Sequence, residues 1–128
     1  MIGGITGGGS TPASSVEAYD PALPSPSWTS VTPMTVPRGG AAAAVAGGKI
    51  YVTGGQNLPE GGAEFQVLAS GEVYDPSSGE WAEIAPMVTP RIYHALVTGT
   101  DGRIYAIGGS DRDDFTGAFI ASVEAYDP

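Results

Sequence analysis

Seven residues that occur twice restrict the fold more than anything else in this chain: SVEAYDP stands at 15–21 and again, letter for letter, at 122–128. A looser copy, GEVYDP, lies at 71–76. Other markers keep the same period. Trp28 and Trp81 are 53 positions apart, as are Met34 and Met87 and the Pro-Arg pairs at 37–38 and 90–91. The pair Gly54-Gly55 precedes Gly108-Gly109 by 54 positions and follows Gly3-Gly4 by 51, and Tyr19, Tyr74 and Tyr126 are spaced by 55 and 52. Self-similarity at one period of about fifty residues marks stacked supersecondary units, none of which buries its apolar face alone.

Within a period the runs are short, rich in β-formers and punctuated by glycine and proline, which reads as strands. AAAAVAG and YHALVTG predict a small, apolar first strand; KIYVTGG and RIYAIGG predict an alternating second strand ending on the glycine pair. SGEVYDP and SVEAYDP predict a third strand stopped by Asp-Pro, and WTSV and WAEIA a fourth, followed by a proline-rich link. Four antiparallel strands per period of this length is the blade of a β-propeller. The expected fold is therefore all-β, built of antiparallel four-stranded blades, with an incomplete ring in a single chain. Residues 1–35 should hold a partial blade (strands two to four), 36–88 a complete blade, and 89–128 a partial blade (strands one to three). MIGG at 1–4 matches AIGG at 106–109 and predicts the end of a second strand, which makes ten strands in all.

Each marker has a physical reason. A glycine pair at a strand end allows positive φ and lets backbones approach where a Cβ would obstruct them. Trp28 and Trp81 are expected to pack between blades, with each indole N–H finding a carbonyl, and Tyr19, Tyr74 and Tyr126 to pack alongside. In order and spacing, the glycine pair (Gly54-Gly55, Gly108-Gly109), the tyrosine, the tryptophan and then PM and PR resemble kelch repeats. The resemblance covers essentially the whole chain. WD-type propellers share the architecture, but neither a GH nor a WD pair is present.

Composition narrows the partners. Five Lys+Arg against fourteen Asp+Glu give a net charge of −9, and no stretch gathers cations into a patch that would neutralise phosphates, so neither nucleic acid nor an anionic membrane surface is an expected partner. The longest apolar run, AAAAVA at 41–46, falls far short of the roughly 20 residues that span a bilayer. The first residues lack the basic start and apolar stretch of a signal peptide. With no cysteine there is no disulfide framework. Localisation stays open, secretion included.

An open stack of about two and a half blades exposes two apolar faces and an unfinished sheet edge. The expected partner is thus the chain itself, a homo-oligomer completing a propeller, or the other blades of a longer chain. Residues 28–128 hold eight strands, so three copies at two blades each close a six-bladed ring. Residues 1–21 would then compete with the C-terminal copy of the same sequence.

The kelch resemblance implies that one end of the ring is formed by the connections before first strands and between second and third strands. Carried over, this gives Arg38 and Arg91, with Gln56, Asn57, Ser110, Asp111 and Arg112, as candidate contacts for a protein or carbohydrate ligand. Two arginines one blade apart suit bidentate capture of carboxylates; the alternative is that they pair with acidic neighbours or carbonyls and hold the blades. Phe65, Val67 and Leu68 in the long loop at 56–69 either cover a blade edge or face a partner. Asp111, Asp113 and Asp114 lack calcium-loop spacing and read as solvated acids. His94, the single histidine, reads as structural. No catalytic constellation, metal set or cofactor site is evident. The expected function is a non-catalytic interaction and scaffold module. A purely structural self-assembling propeller is the first alternative, and a piece of a kelch-type mutarotase or oxidase-like carbohydrate enzyme the second. Such oxidases use Tyr, His and Cys ligands, and this chain has no cysteine.

Overall fold

The computed structural model describes residues 1–7, 11–112 and 119–128. Thirteen strands follow in order: β1 (Ile5–Thr6), β2 (Thr11–Pro12), β3 (Val16–Tyr19), β4 (Trp28–Val31), β5 (Ala42–Ala46), β6 (Lys49–Thr53), β7 (Gln56–Asn57), β8 (Gln66–Val67), β9 (Gly71–Asp75), β10 (Glu80–Ile84), β11 (Ala95–Thr98), β12 (Ile104–Ile107) and β13 (Val123–Tyr126). No helix occurs among the described residues. Every ladder is antiparallel. The fold is all-β, with propeller blades in a ring that one chain leaves incomplete.

The middle sheet runs β10-β9-β6-β5 and is flanked by a two-stranded sheet, β3-β4, and a three-stranded sheet, β11-β12-β13. The expected strand at MIGG is reduced to a single bridge, Ile2 opposite Val16: Gly3 and Gly4 turn the chain as the other glycine pairs do, and only two residues stand before them. Each blade also carries a short inner ladder after its glycine pair: β1 with β2, β7 with β8, and the bridge between Ser110 and Phe119.

Period-two alternation makes the middle sheet apolar on both faces. On one face Val52, with Ile50 and Trp81, packs against Val16, Met34, Ile2 and Val31. On the other, Ala46 and Tyr51, with Val73 and Ile84, meet Ile104, Leu96 and Tyr126. Tyr74 lies opposite Trp81 in the β9–β10 register with ring centroids 5.1 Å apart, and Tyr19 lies opposite Trp28 in β3–β4 at 5.3 Å. The Trp81 indole N–H reaches the Thr32 carbonyl in the preceding link at 2.8 Å. Trp28, on the outer face of its sheet, is 58% exposed.

The glycine pairs sit where links cross strand ends. Gly54 has φ 63°, and a Cβ there would collide with the Arg91 carbonyl and come within 2.7 Å of His94 Cε1. Gly47, in the β5–β6 turn, has a similar φ of 55° but open space around it. Gly47→Ala should therefore lose about 1 kcal/mol for the left-handed backbone alone, and Gly54→Ala about 2 kcal/mol more for the clash. Urea unfolding of both variants checks this, and equal losses would contradict the close approach at the blade junction.

Candidate functional site

The Pro-Arg step of each link aims its guanidinium back into the sheet that follows. Arg38 is 1% exposed. Its Nη1 donates to the carbonyls of Gly54 (3.0 Å) and Ser70 (2.9 Å), Nη2 to Ser70 Oγ (3.0 Å) and Glu72 Oε1 (3.2 Å), and Nε to Glu72 Oε1 (3.3 Å). Glu72 in turn accepts from the Thr35 N–H and hydroxyl at 2.8 and 2.6 Å and from the Val36 N–H at 3.2 Å. The third blade repeats this except at Arg91 Nε, which is buried without a partner among the described residues. Arg91 donates to the carbonyls of Gly108 (2.7 Å) and Ser122 (3.0 Å), to Ser122 Oγ (2.7 Å) and to Glu124 Oε1 (3.0 Å). Glu124 accepts the Val88 and Thr89 N–H groups. Each clamp joins a link, a glycine turn and a third strand.

Burial acts to raise the Glu72 carboxyl, but the Thr35 hydrogen bonds, the Arg38 charge and the Val36 N–H outweigh it and hold the group below its ordinary value. Glu124 is held low in the same way by Val88, Arg91 and Thr89. Ser15 and Glu17 occupy the matching places in the first sheet, yet among the described residues no arginine reaches them.

Around these clamps lie the other expected contacts. Gln56 is buried, and its N–H and C=O exchange bonds with Gly39; its Oε1 has no partner among the described residues. Ser110 exchanges the same bonds with Ile92, and its hydroxyl accepts the Arg112 N–H. Asn57 is half-buried, and Asp111 and Arg112 are exposed. Phe65, Val67 and Leu68 are half-buried beside the β7–β8 ladder. Asp113 and Asp114 lie outside the described residues, and among those described no three ligating side chains gather as a metal site.

Sequence reasoning did not single out Tyr93. It takes the place that Gly40 holds one blade earlier, and both are left-handed, at φ 56° and 65°. The Tyr93 N–H donates to the Gly40 carbonyl, and the side chain is about half exposed. The signal was present in the sequence: the repeat puts a tyrosine where its partner has a glycine. A left-handed non-glycine residue is strained, and such strain concentrates at functional positions. Ser70, Ser122, Glu72 and Glu124 were also missed as arginine partners, although Ser-x-Glu recurs at 15–17, 70–72 and 122–124.

Comparison with known proteins agrees with this repeat geometry. A family model for the kelch motif matches residues 37–88 and 91–128. The chain belongs to the kelch-repeat family. It is 42% identical over 88 residues to human Kelch repeat and BTB domain-containing protein 13, covering 69% of this chain and 17% of that protein. It is 37% identical over 97 residues to zebrafish (Danio rerio) Kelch-like ECH-associated protein 1B, covering 74% of this chain and 15% of that protein. The kelch chain thus spans about a sixth of these curated relatives. The solved structure of YjhT superposes with a TM-score of 0.73 at 22% identity, covering 89% of this chain and 35% of that one, a likeness of fold.

His94 lies 2.9 Å from Thr53 Oγ1 through Nε2, while its buried Nδ1 has no partner among the described residues. Burial first, and then the Arg91 charge, push it down from 6.5 to about 4. A depressed value stabilises the fold above the unfolded value and ceases to do so as pH falls through the folded one. The His94 contribution is therefore complete above pH 6.5 and is lost towards about 4. Denaturant unfolding should show stability falling over that window, and His94→Gln should flatten the fall; an unchanged slope would contradict the assignment.

Proposed function

We propose that this kelch segment is a non-catalytic interaction and scaffold module, with its ring completed by self-assembly or by further blades of a longer chain. The observation that carries the reading is Tyr93, strained and half exposed two residues beyond Arg91, whose Nη1 and Nη2 are taken up by Gly108, Ser122 and Glu124. Arg38 and Arg91 then serve as supports, and contact falls to Tyr93, Asn57, Asp111 and Arg112. A relative named as ECH-associated is in keeping with a binding role. The acidic charge favours a basic or neutral peptide over an acidic one.

A structural, self-assembling role is the second reading, favoured by the exposed Tyr19–Trp28 pair and by the edge of β13 that pairs with no strand among the described residues. A sugar-directed activity has less support, because the hydrogen bond of His94 goes to Thr53 and not to a carboxylate.

Selection of displayed peptides on the 128-residue protein tests the binding reading. Peptides that bind the wild type should lose at least about tenfold in affinity on Tyr93→Gly, equivalent to about 1.4 kcal/mol, while stability is kept or gained as the strain is relieved. Peptides that bind both forms equally would contradict it. Sedimentation should give about three times the chain mass of 12.9 kDa if copies complete the ring. A compact monomer would leave completion to a longer chain.

A further inference from the structure

Between the second and third blades lies a cavity of about 210 Å³, lined by Ile84, Ala85, Pro86, Ile104, Ala106 and Tyr126, among others. One blade earlier, the matching positions are Val31, Thr32, Pro33, Ile50, Val52 and Tyr74. There the space is filled by Trp81, which packs with Val31, Ile50 and Val52, lies tilted against Tyr74 and donates its indole N–H to the Thr32 carbonyl. The cavity is therefore an indole site without its indole, and the Ala85 carbonyl stands where the acceptor stands.

The chain holds one other tryptophan, Trp28, and it is the large exposed side chain of β4. β4 pairs with β3 in the register Tyr19 to Trp28, the register in which Tyr74 faces Trp81. β3 has the same sequence as β13, and the outer edge of β13 carries no strand among the described residues. A β4 strand fits β13 as well as it fits β3, with Trp28 opposite Tyr126 and its ring over the cavity.

The surrounding bonds can be remade as well. Gly4 N–H to Arg38 O, Arg38 N–H to Ala13 O and Met34 N–H to Ser14 O hold the first sheet to the second. The next junction repeats them as Gly55 to Arg91, Arg91 to Leu68 and Met87 to Ala69. Gly109, Ile120 and Ala121 stand in the repeat where Gly55, Leu68 and Ala69 do, so another copy can supply them to Arg38 and Met34. What changes is the third strand. Among the described residues no arginine reaches Glu17, whereas Glu124 is clamped by Arg91 and backed by β12 and β11.

We propose that β4 of a second copy of this chain docks on the free edge of β13, placing its Trp28 in the cavity and displacing its own residues 1–21. This rests on the self-completion reading above. The merged blade β11-β12-β13-β4 reproduces β5-β6-β9-β10, each copy then contributes two whole blades, and three copies close a ring of six.

The chain has no cysteine, so engineered pairs report the strand partner directly. Thr29 faces Ala18 in the β3–β4 register and would face Ala125 after exchange. In the 128-residue protein, Thr29→Cys with Ala125→Cys should oxidise into chains linked to one another, up to three. Thr29→Cys with Ala18→Cys, oxidised, should lock β4 at home and reduce the assembly to monomers, reversibly on adding reductant. If the locked chain still assembles, the exchange is wrong while self-completion stands. If the wild type is monomeric at every concentration, both are wrong. Should either cysteine pair prevent folding, Trp28→Ala decides: at least tenfold weaker assembly with strand content kept supports the exchange, and unchanged assembly overturns it.

Discussion

A guanidinium buried at the head of the second blade, and again at the head of the third, is the interaction on which the rest of this structure depends. Removing such a charge from water is expensive, and attraction alone offsets that only when every donor is well placed. Arg38 meets the condition by reaching two carbonyls, a hydroxyl and a carboxylate, and that carboxylate is itself held by the N–H groups of the same link. Link, glycine turn and third strand are therefore fixed relative to one another by these bonds. Packing supplies area; the clamp supplies register.

The same clamp explains why the terminal sheets differ. The third blade has its arginine and its first three strands but an empty indole site beside it; the first sheet has its indole, and among the described residues no arginine reaches Glu17. Each lacks what the other holds. A repeat whose units are nearly identical can exchange them, because the register of a strand is set by alternation and by its neighbours. The duplicated SVEAYDP offers β4 two equivalent partners.

Much of this was legible in the sequence, because a fixed period locates strands and turns without knowledge of contacts. The glycine pairs and the order of four strands follow from spacing, whereas the pairing of Tyr with Trp across two strands came from the structure. The indole-to-carbonyl bond was expected at both tryptophans from the chemistry of a packed Trp; Trp81 makes it, whereas Trp28 stands 58% exposed on the outer face of its sheet. The first residues match only the end of a second strand: MIGG carries two residues ahead of its glycine turn, and of these Ile2 alone bridges, to Val16. The arginines were ambiguous. An arginine in a link can face a ligand or a sheet, and the choice is made by Ser-x-Glu more than thirty residues away, on a strand whose outward and inward positions alternate. Tyr93 was missed because periodic reading weighs what recurs, whereas a site is marked by what departs from recurrence.

A double-mutant cycle on Arg38 and Glu72 tests the clamp most directly. Stability is measured by denaturant unfolding at one fixed chain concentration, for Arg38→Leu, Glu72→Leu and the pair. Each single change strands a buried partner and should lose about 3–5 kcal/mol. The pair should lose at least about 2 kcal/mol less than the two losses together. Losses that add to within about 0.5 kcal/mol would mean that the two side chains act independently, and the buried pair could not then be what holds link, turn and third strand in register.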